Sequence, residues 1–197
     1  MLTKREPPPH PAKDDPDTLD RALLSQVAAA GRSSFDDLYR RYYQRVVSFA
    51  LRSTSRPELP EEVAADTLFT VWQKAGAFRG GSKVSTWILG IAYLKSLKAL
   101  SKTVRRENRT GGDIENAPEP SLPPNQHAVM FKDQVNAALK ELSVEQRTVV
   151  ILTYVYGYKY EEIATIIGRP VNTVKTRMRA ARLRLHAGYG EELAVGD

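Results

Sequence analysis

Cysteine is absent from this 197-residue chain, which excludes disulfides, cysteine-ligated zinc and iron–sulfur clusters. Histidine is scarce: there are three, none of them between His10 and His127. Across that interval the candidate nucleophiles are hydroxyls. The acids Glu58, Glu61, Glu62 and Asp66 cluster at a helix start, where the helix dipole accounts for them without catalysis. Hydrolase and nuclease chemistry therefore has no residue set, and neither metal nor cofactor is expected. No run is long and apolar enough to span a membrane, and the first thirty residues lack a signal-peptide layout. Cytoplasmic residence without membrane insertion is the expectation. Neither strand-like alternation nor an internal repeat is evident.

What is present is charge, unevenly spread. A net charge of +6 points to a polyanionic partner without identifying it. From Glu58 to Gln73 there are four acids and no base. From Lys83 to Arg109 seven bases face Glu107 alone. Neighbouring stretches of opposite sign suggest partners of opposite sign.

The periodicity predicts an all-α protein of two helical modules. Residues 1–16, rich in proline and polar groups, form a disordered extension. Residues 17–106 hold four helices. The first is capped by Asp17 or Thr18, carries Leu19, Leu23 and Val27, and stops at Gly31. The second spans Ser34 to Arg52 on a stripe of Phe35, Leu38, Tyr42, Val46 and Phe49. The third runs from Pro60 through Val63, Leu68, Val71 and Trp72 to Gly76, and the fourth from Val84 to about Arg106. Residues 107–127, dense in Gly, Pro and Asn, read as a linker that reaches roughly 70 Å when extended. Residues 128–188 form the second module. Val129, Val135, Ala138 and Leu139 mark its first helix, and Ser143 with Gln146 forms a capping box on the next. Residues 189–197 are a tail.

Two stretches carry the chemistry. "EEIATIIGRPVNTVKTRMRAARLRL", residues 161–185, is two short amphipathic segments around Gly168-Arg169-Pro170, the form of a helix-turn-helix. Val174, Met178, Ala181 and Leu185 share one arc and face the core. Asn172, Thr176 and Arg179 point away, flanked by Thr173, Lys175 and Ala180, which suits a major groove. Arg169 and Arg177 add positive charge. Leu183 falls on the outward face and has no role in this reading. In the upstream module, a loop of Phe78, Arg79, Gly80, Gly81, Ser82 and Lys83 precedes a helix bearing Trp87, Tyr93 and Lys95. Aromatics among cations beside a Gly-Gly turn are the ingredients for gripping unstacked bases. Trp87 is also a candidate for the core, wholly or in part.

Taken in order, "FDDLYRRYYQRVVSFALR", "EEVAADTLFTVWQKAGAFRGGSKVSTWILGIA" and "LSVEQRTVVILTYVYGYKYEEIATIIGRPVNTVKTRMRAARLRL" resemble the bacterial sigma factors of the extracytoplasmic-function group. The resemblance covers residues 35–102 and 135–186. It implies an upstream region 2 bundle that binds core RNA polymerase and opens the promoter, and a region 4 module that reads the minus-thirty-five element. The partners implied are the polymerase clamp and flap, promoter DNA and an anti-sigma factor. Glu61, Glu62 and Asp66, with Glu58 beside them, match the acidic helix that docks on the clamp. Phe78 to Lys83 match the loop that captures a flipped minus-ten base. Lys175, Thr176 and Arg179 match groove-reading positions. Leu94 and Lys98 depart from the usual asparagine and aspartate, and Lys159 from a serine-like cap. Thr67 and Thr70 flank the acidic surface, where phosphorylation would act on docking. Two alternatives remain: a sigma-like decoy that sequesters an anti-sigma protein, and a dimeric helix-turn-helix repressor. The basic reader disfavours the first, and the absence of an evident ligand pocket or dimer stripe disfavours the second.

Overall fold

The computed structural model describes residues 15–29, 32–110 and 135–189. Among these every regular element is helical, as the periodicity predicts. Helices α1 (Pro16–Ala28), α2 (Arg32–Thr54), α3 (Pro60–Lys74) and α4 (Val84–Thr110) make the upstream bundle, with a 3-10 turn at Ala75–Ala77. The second module comprises a helical stretch α5 (residues 135–140), then α6 (Val144–Tyr154), α7 (Tyr160–Ile167) and α8 (Val171–Tyr189). The N-terminal extension as far as residue 14, Gly31, the linker from residue 111, Val129 and the tail from residue 190 lie outside the described residues.

The predicted stripe of α2 is the buried one: Leu38, Tyr42, Val46 and Phe49 are in the core, and Phe35 is half-buried. In α1 the stripe is displaced. Its buried face is Asp20, Leu24 and Val27, and Leu19 is 48% exposed. An acid holds the first position because partners satisfy it there: Arg41 Nε lies 2.5 Å from Asp20 Oδ1, and the Tyr42 hydroxyl donates to Oδ2. Burial and that hydrogen bond raise the Tyr42 hydroxyl far above its ordinary pKa. The cap of α1 is Asp15; Asp17 is drawn away to other partners. Helix α4 runs four residues past Arg106, because Glu107 meets Arg56 in a two-pronged pair at 2.8 and 3.0 Å.

The two modules share one core. Leu24, Leu38, Val46 and Leu89 belong to the same apolar cluster as Val149, Leu152, Ile163, Ile166, Val174 and Met178. Helix α7 crosses α4 at Gly90, where a Cβ would lie 3.4 Å from the Ile166 carbonyl oxygen and 3.8 Å from its Cα. A glycine inside a helix costs ~0.5–1 kcal/mol relative to alanine. Here a methyl group would just fill the contact, and any larger side chain would run into the Ile166 backbone, so α7 lies directly on α4.

A second joint is made by Arg147, which is buried. Its guanidinium donates to the carbonyls of Leu139 (2.7 Å), Lys140 (3.0 Å) and Leu142 (2.9 Å) at the end of α5. It also donates to the Ser55 hydroxyl (2.5 Å) and the Ser53 carbonyl (3.4 Å) at the end of α2. Two helix C-termini, each the negative end of a dipole, thus converge on one cation. Burial lowers the Arg147 pKa from its usual value. The third joint is Arg45, whose Nη2 donates to the Tyr158 hydroxyl at 2.9 Å while its guanidinium lies over the rings of Tyr156 and Tyr158.

Gly90→Leu should therefore wedge α7 away from α4 and raise the radius of gyration in small-angle X-ray scattering. Gly90→Ala, whose methyl group meets only ordinary contact distances, should leave the radius unchanged and raise stability by ~0.5–1 kcal/mol.

Candidate nucleic-acid and protein interfaces

The reader is built from its turn outward. At Gly168 the backbone is left-handed (φ 62°), which glycine adopts without strain, and the following N–H of Arg169 returns to the Ala164 carbonyl at 3.0 Å. Pro170 then opens α8 without losing a hydrogen bond. Val174, Met178 and Ala181 are buried, and Leu185 is half-buried. On the opposite side Asn172, Lys175, Thr176 and Arg179 are exposed, with Arg169 exposed in the turn and Thr173 half-buried. The Thr176 hydroxyl donates to the Asn172 carbonyl at 2.9 Å, which leaves it only acceptor capacity toward a base. Arg177 stands apart from this face. It borders the core stripe, half-buried, with Nη1 enclosed. Leu183 is exposed on the outward face, as its position predicts.

The cap before α7 explains how lysine can stand at position 159. A lysine side chain has no acceptor, so it cannot cap an N–H. Glu162 supplies the other half of the box, its Oε2 accepting from the Lys159 N–H at 3.0 Å. The other carboxylate oxygen, Oε1, lies 2.9 Å from Lys83 Nζ in the upstream loop. Glu162 thereby links the helix-turn-helix scaffold to the minus-ten candidate.

Of the nine minus-ten candidates, seven come together. Phe78 packs on Trp87 with ring centroids 5.3 Å apart, and both are half-buried. Arg79, Gly81 and Lys83 are exposed around the turn, and Gly80 has φ 73°. Tyr93 and Lys95 do not join them. Tyr93 lies six residues beyond Trp87, about 240° around the helix at ~100° per residue, and is only 4% exposed. In this form its ring is closed to a base. Lys95 turns to α3, where its Nζ is 3.5 Å from Asp66.

The acids of α3 are exposed, as expected, but they do not stand alone. Glu62 lies 3.5 Å from Lys102, Asp66 3.5 Å from Lys95, and Glu58 3.8 Å from Arg56. The acidic and basic stretches thus partly neutralise each other across α3 and α4. Such exposed pairs contribute ~0–1 kcal/mol each, so a partner can replace them at little cost. Thr67 is fully buried, which closes its hydroxyl to modification, and the Thr70 hydroxyl donates to the Asp66 carbonyl at 2.7 Å.

A feature missed in the sequence lies beside these acids. Phe69 and Trp72 are each 52% exposed, and their ring centroids are 5.9 Å apart. Phe35, Tyr39 and Tyr43 extend the patch along α2. Glu62, Asp66 and Phe69 lie at offsets of four and three along one helical face. Trp72, read in the sequence together with Val63, Leu68 and Val71, is not buried with them and neither is Phe69, because on a helix both fall away from that stripe.

The Lys83–Glu162 pair makes a testable pH prediction. Burial pushes the Glu162 carboxyl up, but the Lys83 and Lys159 hydrogen bonds outweigh it, and the net shift is downward. The Glu162 hydrogen bond, then its charge, raises Lys83. The carboxylate's contribution is present above about pH 4.3 and is lost as pH falls through its lowered pKa. The ammonium's is present below about pH 10.4 and is lost as pH rises through its raised pKa. Between these limits the contact should be pH-independent. Glu162→Gln should abolish the acid-side component of module opening in scattering measurements.

Comparison with known proteins gives a consistent setting for these surfaces. Residues 38–106 match the family described as Sigma-70 region 2, and residues 132–185 match Sigma-70, region 4. The chain is 31% identical over 187 residues to the ECF RNA polymerase sigma factor RpoE of Cereibacter sphaeroides, covering 88% of this chain and 98% of that protein. It is 29% identical over 161 residues to RNA polymerase sigma factor YlaC of Bacillus subtilis, covering 78% and 91%. Among solved structures, it resembles the sigma factor RpoE in complex with the anti-sigma factor NepR from Bartonella quintana. The TM-score there is 0.65 at 28% identity, covering 83% of this chain and 98% of that one. The fold also resembles CnrH in complex with the cytosolic domain of CnrY, with a TM-score of 0.64 at 22% identity over 88% and 99% of the chains.

Proposed function

The chain belongs to the ECF RNA polymerase sigma factors, and from that premise we propose how its surfaces divide the work of transcription initiation. Members of this family are transcription factors rather than enzymes. This subunit joins core RNA polymerase, supplies promoter recognition and leaves catalysis to the polymerase. It works in the cytoplasm. Among the described residues no helix is long and apolar enough to cross a membrane. An anti-sigma protein is a further partner on this reading.

Residues 17–106 dock and melt; residues 128–188 read duplex. Glu58, Glu61, Glu62 and Asp66 face the polymerase clamp, and Phe69 and Trp72 add apolar area to the same surface. The loop from Phe78 to Lys83, backed by Trp87, takes an unstacked minus-ten base. Flipping costs a few kcal/mol, and stacking returns ~1–3 kcal/mol per base. Asn172, Lys175, Thr176 and Arg179, with Arg169 and Thr173, enter the major groove of the minus-thirty-five element. The observation that carries this reading is the division of α8, which buries Val174, Met178 and Ala181 and exposes Asn172, Lys175, Thr176 and Arg179.

The packed form is that of the free subunit. Two promoter elements about twenty-five base pairs apart are separated by ~85 Å at ~3.4 Å per step. One compact body with Lys83 held on Glu162 cannot serve both. The modules part when the promoter is engaged, and the Lys83 side chain is released to DNA.

Run-off transcription with purified core polymerase tests the whole reading: new, promoter-specific transcripts are expected. A decoy or a repressor would yield none. Arg179→Ala should weaken binding to the minus-thirty-five duplex by ~1–3 kcal/mol if the side chain reads a base. An equal loss on every sequence would mark a phosphate contact instead. Reversing Glu62 and Asp66 to lysine should abolish binding to core polymerase in a pull-down while minus-thirty-five duplex binding survives.

A further inference from the structure

Helix α1 lies outside both matched regions, yet two of its side chains hold the minus-ten loop. Asp17 Oδ1 accepts from the Val84 N–H at 2.7 Å, so α1 caps the first turn of α4 from a distance of 67 residues. Asp17 Oδ2 takes the Arg21 Nε–H at 2.6 Å. Fixed in this way, the Arg21 guanidinium donates to the Ser82 carbonyl at 2.7 Å and to the Gly80 carbonyl at 3.4 Å. Its Cζ also lies over the Phe78 ring, 5.5 Å from the centroid.

Both sides of the Gly-Gly turn are therefore gripped by one planar group. The turn needs that grip more than most. Gly80 stands at φ 73°, and adjacent glycines have the largest conformational freedom to lose on ordering. A Cβ at Gly80 would lie 2.9 Å from Arg21 Nη1, so the fit is close. The guanidinium occupies carbonyl oxygens only, leaving the exposed Arg79 and Lys83 on the outer side of the turn. A loop ordered before the base arrives loses less freedom on capturing it.

We propose that Arg21, set by Asp17, is a positioning residue for promoter melting: it holds the Phe78–Lys83 loop in the form that accepts an unstacked base. The proposal rests on the reading that this loop captures a minus-ten base. Arg21 touches no DNA and acts through the loop.

The test uses holoenzyme assembled from core polymerase and the full chain, on a promoter carrying a fluorescent base analogue in the minus-ten element. Arg21→Ala should reduce the open fraction tenfold or more, with core-polymerase affinity and minus-thirty-five duplex binding unchanged. Asp17→Asn, which keeps an acceptor for the Val84 N–H but weakens the hold on Arg21, should fall between wild type and R21A. On a promoter made abasic at the captured position, wild type and R21A should open equally, because the loop then has nothing to hold. A general loss of folding would not disappear on that template. If R21A does not fold, Arg21→Lys replaces it. That variant keeps the charge beside Asp17, loses the two-pronged grip, and should show a threefold or larger defect with the same dependence on the base. Wild-type opening by these variants, or a defect that persists on the abasic promoter, would overturn the proposal. Phe78→Ala separates the two layers. If F78A impairs opening and R21A does not, the brace alone is wrong. If neither does, the base-capture reading is wrong.

Discussion

The crossing of α7 over α4 at Gly90 belongs to a single apolar core that joins the two helical modules, and the polar contacts between them are built around that core. Only with the helices this close does Glu162 reach Lys83 at 2.9 Å. The same closeness lets Tyr156 and Tyr158 flank Arg45 and brings Arg147 to the end of α2. Buried apolar side chains, at ~1.5–3 kcal/mol each, supply most of the attraction. Arg147 contributes differently. Its buried guanidinium is satisfied by four carbonyls and a hydroxyl drawn from both modules, so separation leaves part of that shell to be replaced by water.

The exposed charges follow another rule. Glu62–Lys102, Asp66–Lys95 and Glu58–Arg56 are surface pairs and count for little in stability. Because they count for little, a partner offering better-placed charge could take either member at small cost. Lys83–Glu162 lies between these cases, with the lysine side chain 58% and the glutamate 24% exposed. It bears on which surface Lys83 serves more than on whether the modules hold together. On the proposed function, a DNA phosphate would compete with Glu162 for the same ammonium group.

Particular residues show how far the sequence could be read. The arc of Val174, Met178 and Ala181 is a local property of a helix, so its burial and the exposure of Asn172, Thr176 and Arg179 were legible. The Ser143–Gln146 box was legible for the same reason, since both partners lie within one turn. Tyr93 and Lys95 were misgrouped with the loop because nearness in sequence was taken for nearness on one face. Leu19 was misplaced because nothing local shows that Asp20 has Arg41 and the Tyr42 hydroxyl to satisfy it. The bracing of the loop by Arg21 spans 59 and 61 residues and leaves no periodic trace.

By itself the sequence determined the all-helical fold, the division into an upstream bundle and a helix-turn-helix, and which face of α8 is left exposed. Each follows from interactions within a few residues, where spacing and geometry are nearly equivalent. Tertiary structure alone decided that the modules close on one another, that acids of α3 pair with lysines of α4, and that α1 holds the loop from Phe78 to Lys83. Those outcomes depend on distances between residues far apart in the chain. Only packing sets such distances, as where α7 crosses α4 at Gly90 with no room for a side chain larger than a methyl group.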